Sequence, residues 1–397
     1  MAAPRAYLDY CATAPLRPQA RAAMLAAFDL IGNPSSIHRE GRAALGLIEA
    51  ARAAIAARIG GAARNLVFTS SATEAANLAL TPHVEDGRCA APFDLLLIAG
   101  GEHACVRVGH RFAATQSLPL TPQGALALDA LDAALERHAD RRIVLALQAA
   151  NNETGVIQPV AEAAALVHAA GGLVVCDATQ AMGRIEASFA TLDADLMFFS
   201  SHKLGGPTGA GVLAFARDEL HIGAAMLRGG GQERGRRAGT ENVAAIAGFA
   251  AALGAALDEK AAEAQRLAEL RDALERRALE ILPDAEILGR DSPRLAQVSA
   301  FVSPEVSAHT LAMALDLEGV AASAGAACSS GKLSPSQALA AMGRMEPAAL
   351  RVSLGWSSTA EDVECFGAAL KKVVARMRSR RPAAREPRAA ARSADGP

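Results

Sequence analysis

Short, wholly apolar runs recur through the first two thirds of the chain, separated by alanine-rich stretches. Apolar runs of this length, without polar alternation, are typical of strands buried on both faces, as in a mostly parallel sheet. The alanine-rich stretches 42–59 and 159–170 predict helices between them. The predicted strands are 66–69, 95–99, 143–147, 173–176, 196–199 and 212–215. The pattern therefore predicts an α/β fold with helices on both faces of the sheet.

Beyond residue 240 the pattern changes to one long helical stretch followed by a smaller set of elements. Residues 243–282 predict a helix with a charged, solvated face. Strand candidates near 297–302 and 350–354 and a helix over 361–377 then predict a smaller α+β unit.

These patterns predict four parts of the chain. Residues 15–258 form a large domain and residues 259–377 a small one, with residues 1–14 packed against the small domain. The last segment, 378–397, is rich in Arg, Ala and Pro and has no apolar periodicity, which predicts a disordered tail.

Composition and charge narrow the class of protein. The 397 residues carry 40 Lys and Arg against 42 Asp and Glu, so the net charge of −2 gives no reason to expect nucleic acid or an anionic membrane as a partner. The chain starts without an apolar core of signal-peptide length, and its longest apolar stretch, 243–257, is shorter than the ~20 residues that span a bilayer. Six scattered cysteines without a Cys-x-x-Cys pair suit a reducing compartment. We expect a globular, cytoplasmic protein.

Motifs for nucleotide hydrolysis and zinc proteolysis are missing from the sequence. The Gly331-Lys332 pair has Ala326 where a phosphate-binding P-loop needs its first glycine, and no His-Glu-x-x-His occurs. The two absences argue against a nucleotide hydrolase and against a zinc protease.

A lysine stands among small and polar residues directly after the predicted strand at 196–199. Residues 200–207 read Ser-Ser-His-Lys-Leu-Gly-Gly-Pro. A surface turn with a solvated lysine is the plain interpretation, because short motifs often mislead. The alternative is a glycine-lined pocket, where Lys203 forms a Schiff base with an aldehyde cofactor and Ser200 and His202 reach its phosphate.

Two other segments could meet the remaining needs of pyridoxal phosphate (PLP). Its pyridine nitrogen needs a carboxylate partner, which Asp177 could supply from a strand end, with Gln180 near the ring oxygen. An ordinary turn or helix cap is the alternative for Asp177. The phosphate needs N–H donors, and residues 69–77 combine a strand end, hydroxyl groups and a helix start. An N-cap with a capping Glu explains that segment equally well.

Two reactive side chains lie outside these segments. His103 follows the predicted strand at 95–99 and could stack over the cofactor ring and move protons, although a lone histidine there is more often structural. Cys328 is the one thiol in a loop of small residues at 321–336. Most single cysteines are inert packing residues, whereas a thiol in an accessible loop can attack an electrophile.

Taken together, nine motifs in register resemble those of the cysteine desulfurases, which are class V aminotransferase-type PLP enzymes of the nitrogen-fixation or iron–sulfur-cluster type, group I. The matching segments are 7–10, 32–38, 72–74, 151–155, 177–180, 201–203, 230–235, 238–242 and the Cys328 loop. The resemblance covers roughly residues 6–375. It implies a fold-type I PLP-dependent transferase, in which a mostly parallel sheet lies between helices in a large PLP-binding domain and a smaller α+β domain follows.

The resemblance also implies roles for individual residues. The cofactor-binding set is Ala72, Thr73, His103, Asn152, Asp177, Gln180, Ser200, His202, Lys203 and Thr240. Of these, Thr240 reaches the phosphate in the neighbouring subunit of a homodimer. The substrate-binding set is Asn33, Asn152 and Arg351, and the catalytic set is Lys203, His103 and Cys328. Cys328 resembles the nucleophile that becomes a persulfide, and it is a candidate iron–sulfur ligand during cluster transfer.

The implied reaction converts L-cysteine to L-alanine and passes sulfur to an acceptor or iron–sulfur scaffold protein. Alternatives on the same fold are a selenocysteine lyase or an aminotransferase, and a non-enzymatic alternative is a sulfur-carrying partner. Cys11 and Ala14 replace the residues frequent in the family, and the tail does not resemble the family's acceptor-binding tail. The long form of the Cys328 loop favours direct delivery of sulfur to a scaffold protein.

Overall fold

The structure, a computed structural model, describes residues 5–89, 91–325 and 336–380. The strands are β1 (Ala6–Tyr7), β2 (Leu66–Thr69), β3 (Val84–Glu85), β4 (Leu95–Ala99), β5 (Thr115–Leu118), β6 (Ile143–Gln148), β7 (Leu173–Asp177), β8 (Leu196–Ser200), β9 (Gly211–Phe215), β10 (His221–Ile222), β11 (Glu286–Ile287), β12 (Val298–Val302), β13 (Val320–Ala321), β14 (Ser323–Ala324) and β15 (Leu350–Ser353). The helices are α1 (Pro18–Phe28), α2 (Arg39–Arg58), α3 (Ala72–Ala79), α4 (Ala104–Arg107), α5 (Leu128–Arg137), α6 (Val160–Ala169), α7 (Phe189–Leu192), α8 (Val243–Ile281), α9 (Ala308–Leu317), α10 (Gln337–Ala341) and α11 (Ala360–Arg380).

A seven-stranded sheet forms the centre of the larger part, in the order β2-β9-β8-β7-β6-β4-β5. Strands β4 to β8 pair in parallel, and β9 runs antiparallel to both of its neighbours. The predicted mostly parallel α/β fold is therefore confirmed. The sequence pattern missed β5, because three of the four residues in its Thr-Gln-Ser-Leu sequence are polar and this edge strand is largely exposed.

Burial on both faces explains why the central strands are uniformly apolar. Alternate side chains of one strand enter different cores: Leu66 and Phe68 pack with Ile48 of α2, whereas Val67 packs with Leu78 of α3 on the opposite face. Side chains alternate across a strand, so a strand covered on both faces has no position left for a solvated residue.

Helix α8 leads from the large sheet to the second part of the fold. It begins where the Asn242 side chain accepts a hydrogen bond from the N–H of Ala245, and it is continuous through residue 258. The predicted domain division at that residue stays a prediction. Helix α11 ends at Arg380, three residues inside the segment predicted as a tail, and residues 381–397 lie outside the described residues.

A four-stranded antiparallel sheet, ordered β11-β12-β15-β14, organises the second part. Its core includes Phe301 and Phe366, which stack on each other, and Leu8 from the start of the chain. Strand β1 pairs in parallel with β13. The residues just after β1 therefore lie between the two parts of the fold.

Two further findings concern membrane-spanning helices and disulfides. None of the described helices combines the length and the apolar character needed to cross a membrane. Within the described part of the chain, no cysteine forms a disulfide.

Candidate active site

The carboxyl ends of the parallel strands converge on one cavity of about 160 Å³. Because parallel strands run in one direction, the residues that follow β4, β6, β7 and β8 meet at the same edge of the sheet. Ten residues predicted from the sequence line this cavity: Ala72, Thr73, His103, Asn152, Asp177, Gln180, Ser200, His202, Lys203 and Arg351. The large sheet and the segments after its strands supply nine of these residues, and Arg351 comes from β15 of the four-stranded sheet.

Lys203 lies at the end of a short 3-10 turn that directly follows β8. Its half-buried Nζ donates hydrogen bonds to the carbonyl oxygens of Cys11, at 2.6 Å, and Ala12, at 2.7 Å. The N-terminal segment therefore crosses the cavity and holds the amine inside it. This environment differs from the solvated surface turn that was the alternative for this lysine.

Asp177 ends β7 and is buried, and its Oδ1 accepts a hydrogen bond from the N–H of Thr179 at 2.8 Å. Burial raises the pKa of this carboxyl group, while the hydrogen bonds from Thr179 and the charges of His103 and Lys203 act in the opposite direction. The protonated ring nitrogen of PLP would donate a hydrogen bond to this buried carboxylate and place a positive charge beside it. Nearby, Gln180 donates from Nε2 to the carbonyl of Cys11 at 3.0 Å.

A second buried carboxyl group, Glu102, lies close to Asp177. Its Oε1 accepts the N–H of Gln148, and its Oε2 has no hydrogen-bond partner. Burial, and then the charge of Asp177, raise the pKa of Glu102 well above its ordinary value. Two neighbouring buried carboxyl groups favour one neutral and one ionised form.

The N-terminus of α3 opens onto the cavity and has the character of an anion site. The Ser71 hydroxyl accepts the N–H of Glu74 at 3.1 Å, so the capping interpretation of this segment holds. The N–H groups of Ala72 and Thr73 belong to the first turn, whose amides have no partner within the helix. Capping and anion binding are therefore compatible here.

Ser200 and His202 face this helix start from the end of β8. Ser200 is buried, and Nδ1 of His202 lies 3.1 Å from the Thr13 hydroxyl. Burial, and then the charges of Lys203 and Arg184, lower the pKa of His202 from 6.5 to about 4. The imidazole is therefore neutral near pH 7 in the protein alone.

Arg351 on β15 is the largest fully buried side chain among the described residues. Its Nη2 donates to Asp9 Oδ1 and its Nη1 donates to the Asn152 carbonyl, both at 2.8 Å. Burial alone would lower the pKa of Arg351, but the Cys11 thiol and the Asp9 carboxylate raise it. Its Nε has no hydrogen-bond partner among the described residues, which leaves a buried donor for a carboxylate ligand.

His103 caps α4, with Nδ1 accepting the N–H of Cys105 at 3.2 Å. The Cys105 thiol also lies 3.1 Å from this nitrogen. Because Nδ1 acts as an acceptor for the backbone N–H, the neutral ring carries its proton on Nε2. Cys105 lines the cavity but was not singled out in the sequence, where it stands alone without a motif.

Two predicted residues lie apart from the cavity of this chain. Asn33 and Thr240 are both exposed, and neither lines it. Cys328 lies outside the described residues. The described residues contain no cluster of three His, Cys, Asp or Glu side chains suited to a metal ion.

The donor set in the cavity fits PLP. A buried carboxyl group, an amine, a helix N-terminus and a serine each match one functional group of that cofactor. Gly211 adds a steric argument, because a Cβ there would lie 2.5 Å from the Ser71 carbonyl carbon and 2.9 Å from the Ala72 nitrogen. The α3 N-terminus is thus held close against β9.

Comparison with known proteins agrees with this geometry. The family described as "Aminotransferase class-V" matches residues 6–366. An IscS-like cysteine desulfurase of Mycobacterium tuberculosis is 37% identical over 94% of this chain and 97% of its own length. A cysteine desulfurase of Rhodobacter capsulatus is 38% identical over 95% and 98%. Among solved structures, a NifS-like protein from Rickettsia africae has a TM-score of 0.81 and 29% identity over 93% of this chain and 99% of that chain.

We expect Gly211→Ala to weaken PLP binding by about tenfold, because the new methyl group displaces the Ser71–Ala72 peptide at a cost of ~1–3 kcal/mol. Titration of the cofactor-free protein with PLP, followed by visible absorbance, measures this. Gly254→Ala on α8 is the matched control, since a Cβ there meets nothing within 4 Å. Normal affinity in folded Gly211→Ala protein would contradict the proposed cradle.

The depressed pKa of His202 predicts a pH-dependent stability of the cofactor-free protein. Between pH 6.5 and about 4 the unfolded imidazole binds a proton that the folded one does not, so stability falls as the pH decreases through this window. Replacement by His202→Gln should reduce this loss, by on the order of 2 kcal/mol. Urea unfolding of both proteins at several pH values tests this, and identical pH profiles would show that His202 does not titrate in this way.

Proposed function

The chain belongs to the class-V aminotransferase family, and we propose that it is a PLP-dependent cysteine desulfurase whose nucleophile is Cys328. L-Cysteine and the Cys328 thiol become L-alanine and a Cys328 persulfide. The C–S bond of the substrate breaks, an S–S bond forms on Cys328, and the thiol proton is balanced by a proton added to carbon. No outside oxidant or reductant is needed. The supporting observation is the single cavity that joins Lys203, Asp177 and Arg351.

The residues that would hold PLP divide by the part of the cofactor they meet. Bound PLP supplies an electron-withdrawing ring that stabilises negative charge at the α-carbon of an amino acid. Lys203 would hold the aldehyde carbon through its amine, and Asp177 would keep the ring nitrogen protonated. The N–H groups of Ala72 and Thr73, together with Ser200 and His202, would hold the phosphate.

Arg351 is the proposed site for the substrate carboxylate. Its guanidinium is fixed by Asp9 and by the Asn152 carbonyl, so it is oriented before substrate arrives. A planar guanidinium suits a carboxylate because it can donate two parallel hydrogen bonds. Asn152 lines the same cavity, and we propose that it contacts both the substrate and the cofactor ring.

Lys203 and His103 are the proposed proton-transfer residues. Lys203 would take up the substrate α-proton at Nζ, which the carbonyls of Cys11 and Ala12 orient. His103 carries a proton on Nε2 and can deliver or accept one within the cavity. The segment that bears Cys328 follows β14, whose Ser323 pairs with Arg351 across the sheet.

A homodimer is part of this proposal, because two expected site residues face away from the cavity. Asn33 and Thr240 lie in exposed segments joined by a hydrogen bond between Gln232 and Ser35. Ile31 and Ile37, beside Asn33, are 85% and 90% exposed. Exposed apolar side chains of this size are typical of an interaction surface. A second copy would cover them and receive Thr240 at its own phosphate site.

The sulfur on Cys328 would pass to an acceptor or scaffold protein for iron–sulfur cluster or thio-cofactor assembly. A cytoplasmic location suits a reactive thiol, and it agrees with six scattered cysteines that form no Cys-x-x-Cys pair. Turnover with cysteine, selenocysteine and 2-oxo acids would distinguish this activity from a selenocysteine lyase or an aminotransferase. A stoichiometric single turnover would instead indicate a sulfur carrier.

We expect Cys328→Ala to keep the visible absorbance of bound PLP and its change on adding L-cysteine, but to lose alanine release by more than about 100-fold. The variant lacks only the group that accepts sulfur. Amino-acid analysis of released alanine measures the effect, and Cys89→Ala, which removes an exposed thiol that does not line the cavity, is the control. Normal alanine release by Cys328→Ala would exclude Cys328 as the nucleophile.

A further inference from the structure

Arg184 contacts both Gln180 and Lys203 without lining the cavity that they face. Its Nη1 donates to the Gln180 side-chain oxygen and, at 3.1 Å, to the Gln180 carbonyl. Its Nη2 donates to the Lys203 carbonyl at 2.9 Å. One guanidinium therefore joins the turn after β7 to the turn after β8.

The first of these contacts fixes the orientation of the Gln180 amide. A guanidinium has donors only, so the amide group must turn its oxygen toward Arg184 and its NH2 group away from it. The NH2 group accordingly donates to the Cys11 carbonyl at 3.0 Å. The Lys203 amine donates to the same carbonyl at 2.6 Å. The donor edge of Gln180 and the amine thus lie side by side in the cavity.

The second contact holds the backbone of the residue that carries this amine. The planar fork of arginine can serve two acceptors in fixed directions, which a lysine ammonium cannot reproduce. Burial lowers the pKa of Arg184, and the neighbouring Cys11 thiol acts in the opposite direction. A partly buried cation at this place is held by oxygens of the two turns and not by a carboxylate.

We propose that Arg184 is a positioning residue, which presents the Gln180 N–H to the ring oxygen of PLP. Without Arg184 the Gln180 amide could turn over and point its oxygen at the cofactor's ring oxygen. Two acceptors would then face each other, and a donor that is available only in the correct orientation would be lost. This inference rests on the proposed cofactor site, but not on the desulfurase reaction.

The test compares PLP with its deoxy analogue, which has hydrogen in place of the ring hydroxyl group. Dissociation constants are measured with the cofactor-free full chain, by visible absorbance. Arg184→Gln should bind PLP about tenfold more weakly than the unchanged protein, which is the loss of one well-placed hydrogen bond. It should bind the analogue with an affinity within about twofold of the unchanged protein, because the analogue has no oxygen for Gln180 to meet.

Arg17→Gln is the matched control. Arg17 is also buried and donates from Nε to the Leu204 carbonyl at 3.0 Å, one residue beyond Lys203, but it does not contact Gln180. Its loss should change the affinities for PLP and for the analogue by the same factor.

Equal weakening of PLP and analogue binding in Arg184→Gln would overturn the proposal, because it would show a merely structural role. Unchanged PLP affinity would also overturn it.

If circular dichroism shows that Arg184→Gln does not fold, Arg184→Lys provides the same comparison, since it keeps the positive charge but loses the planar guanidinium. A selective loss of PLP affinity then supports the proposal, and an equal loss for both ligands contradicts it. Alanine release from cysteine is measured separately, so failure of this inference is distinguishable from failure of the proposed function.

Discussion

The shared direction of the central strands is the constraint on which the site depends. Because β4, β6, β7 and β8 run in parallel, the residues that follow them are delivered to one edge of the sheet, however far apart they lie in sequence. The antiparallel β9 begins at this same edge, where Gly211 lies against the start of α3. A lysine, a carboxyl group and a helix N-terminus are thus brought around one cavity by strands that backbone hydrogen bonds hold in register.

Burial of charge gives this cavity its chemistry, and the start of the chain makes that burial possible. Asp9 pairs with the buried Arg351, and the carbonyls of Cys11 and Ala12 accept hydrogen bonds from Lys203. An uncompensated buried charge would cost several kcal/mol. One short segment therefore supplies partners to both the proposed substrate clamp and the proposed cofactor lysine. The loss of water from such a site strengthens each electrostatic contact made there by a ligand.

Much of this arrangement could be predicted from sequence, because it depends on local patterns. Buried strands appear in the sequence as apolar runs. Such a run precedes each of Lys203, Asp177 and Ala72. What the pattern missed depends on long-range contacts: the polar edge strand β5, the thiol of Cys105 beside His103, and the position of Arg184 between two turns. A single arginine or cysteine has no local signature of its tertiary partners. The role proposed for Thr240 involves a second subunit, Asn33 does not line the cavity of this chain, and Cys328 lies outside the described part of the chain.

The proposed covalent attachment of PLP to Lys203 is the feature on which the other proposed site roles depend. Reduction of the cofactor-loaded protein with borohydride, followed by proteolysis and mass spectrometry, would identify the lysine that carries the cofactor. The structure predicts a single pyridoxyl group on the peptide that contains Lys203, because its amine is held inside the cavity beside Asp177 and Gln180. A modified peptide that carries the group on another lysine, such as Lys260 or Lys332, or no modified peptide at all, would contradict the account.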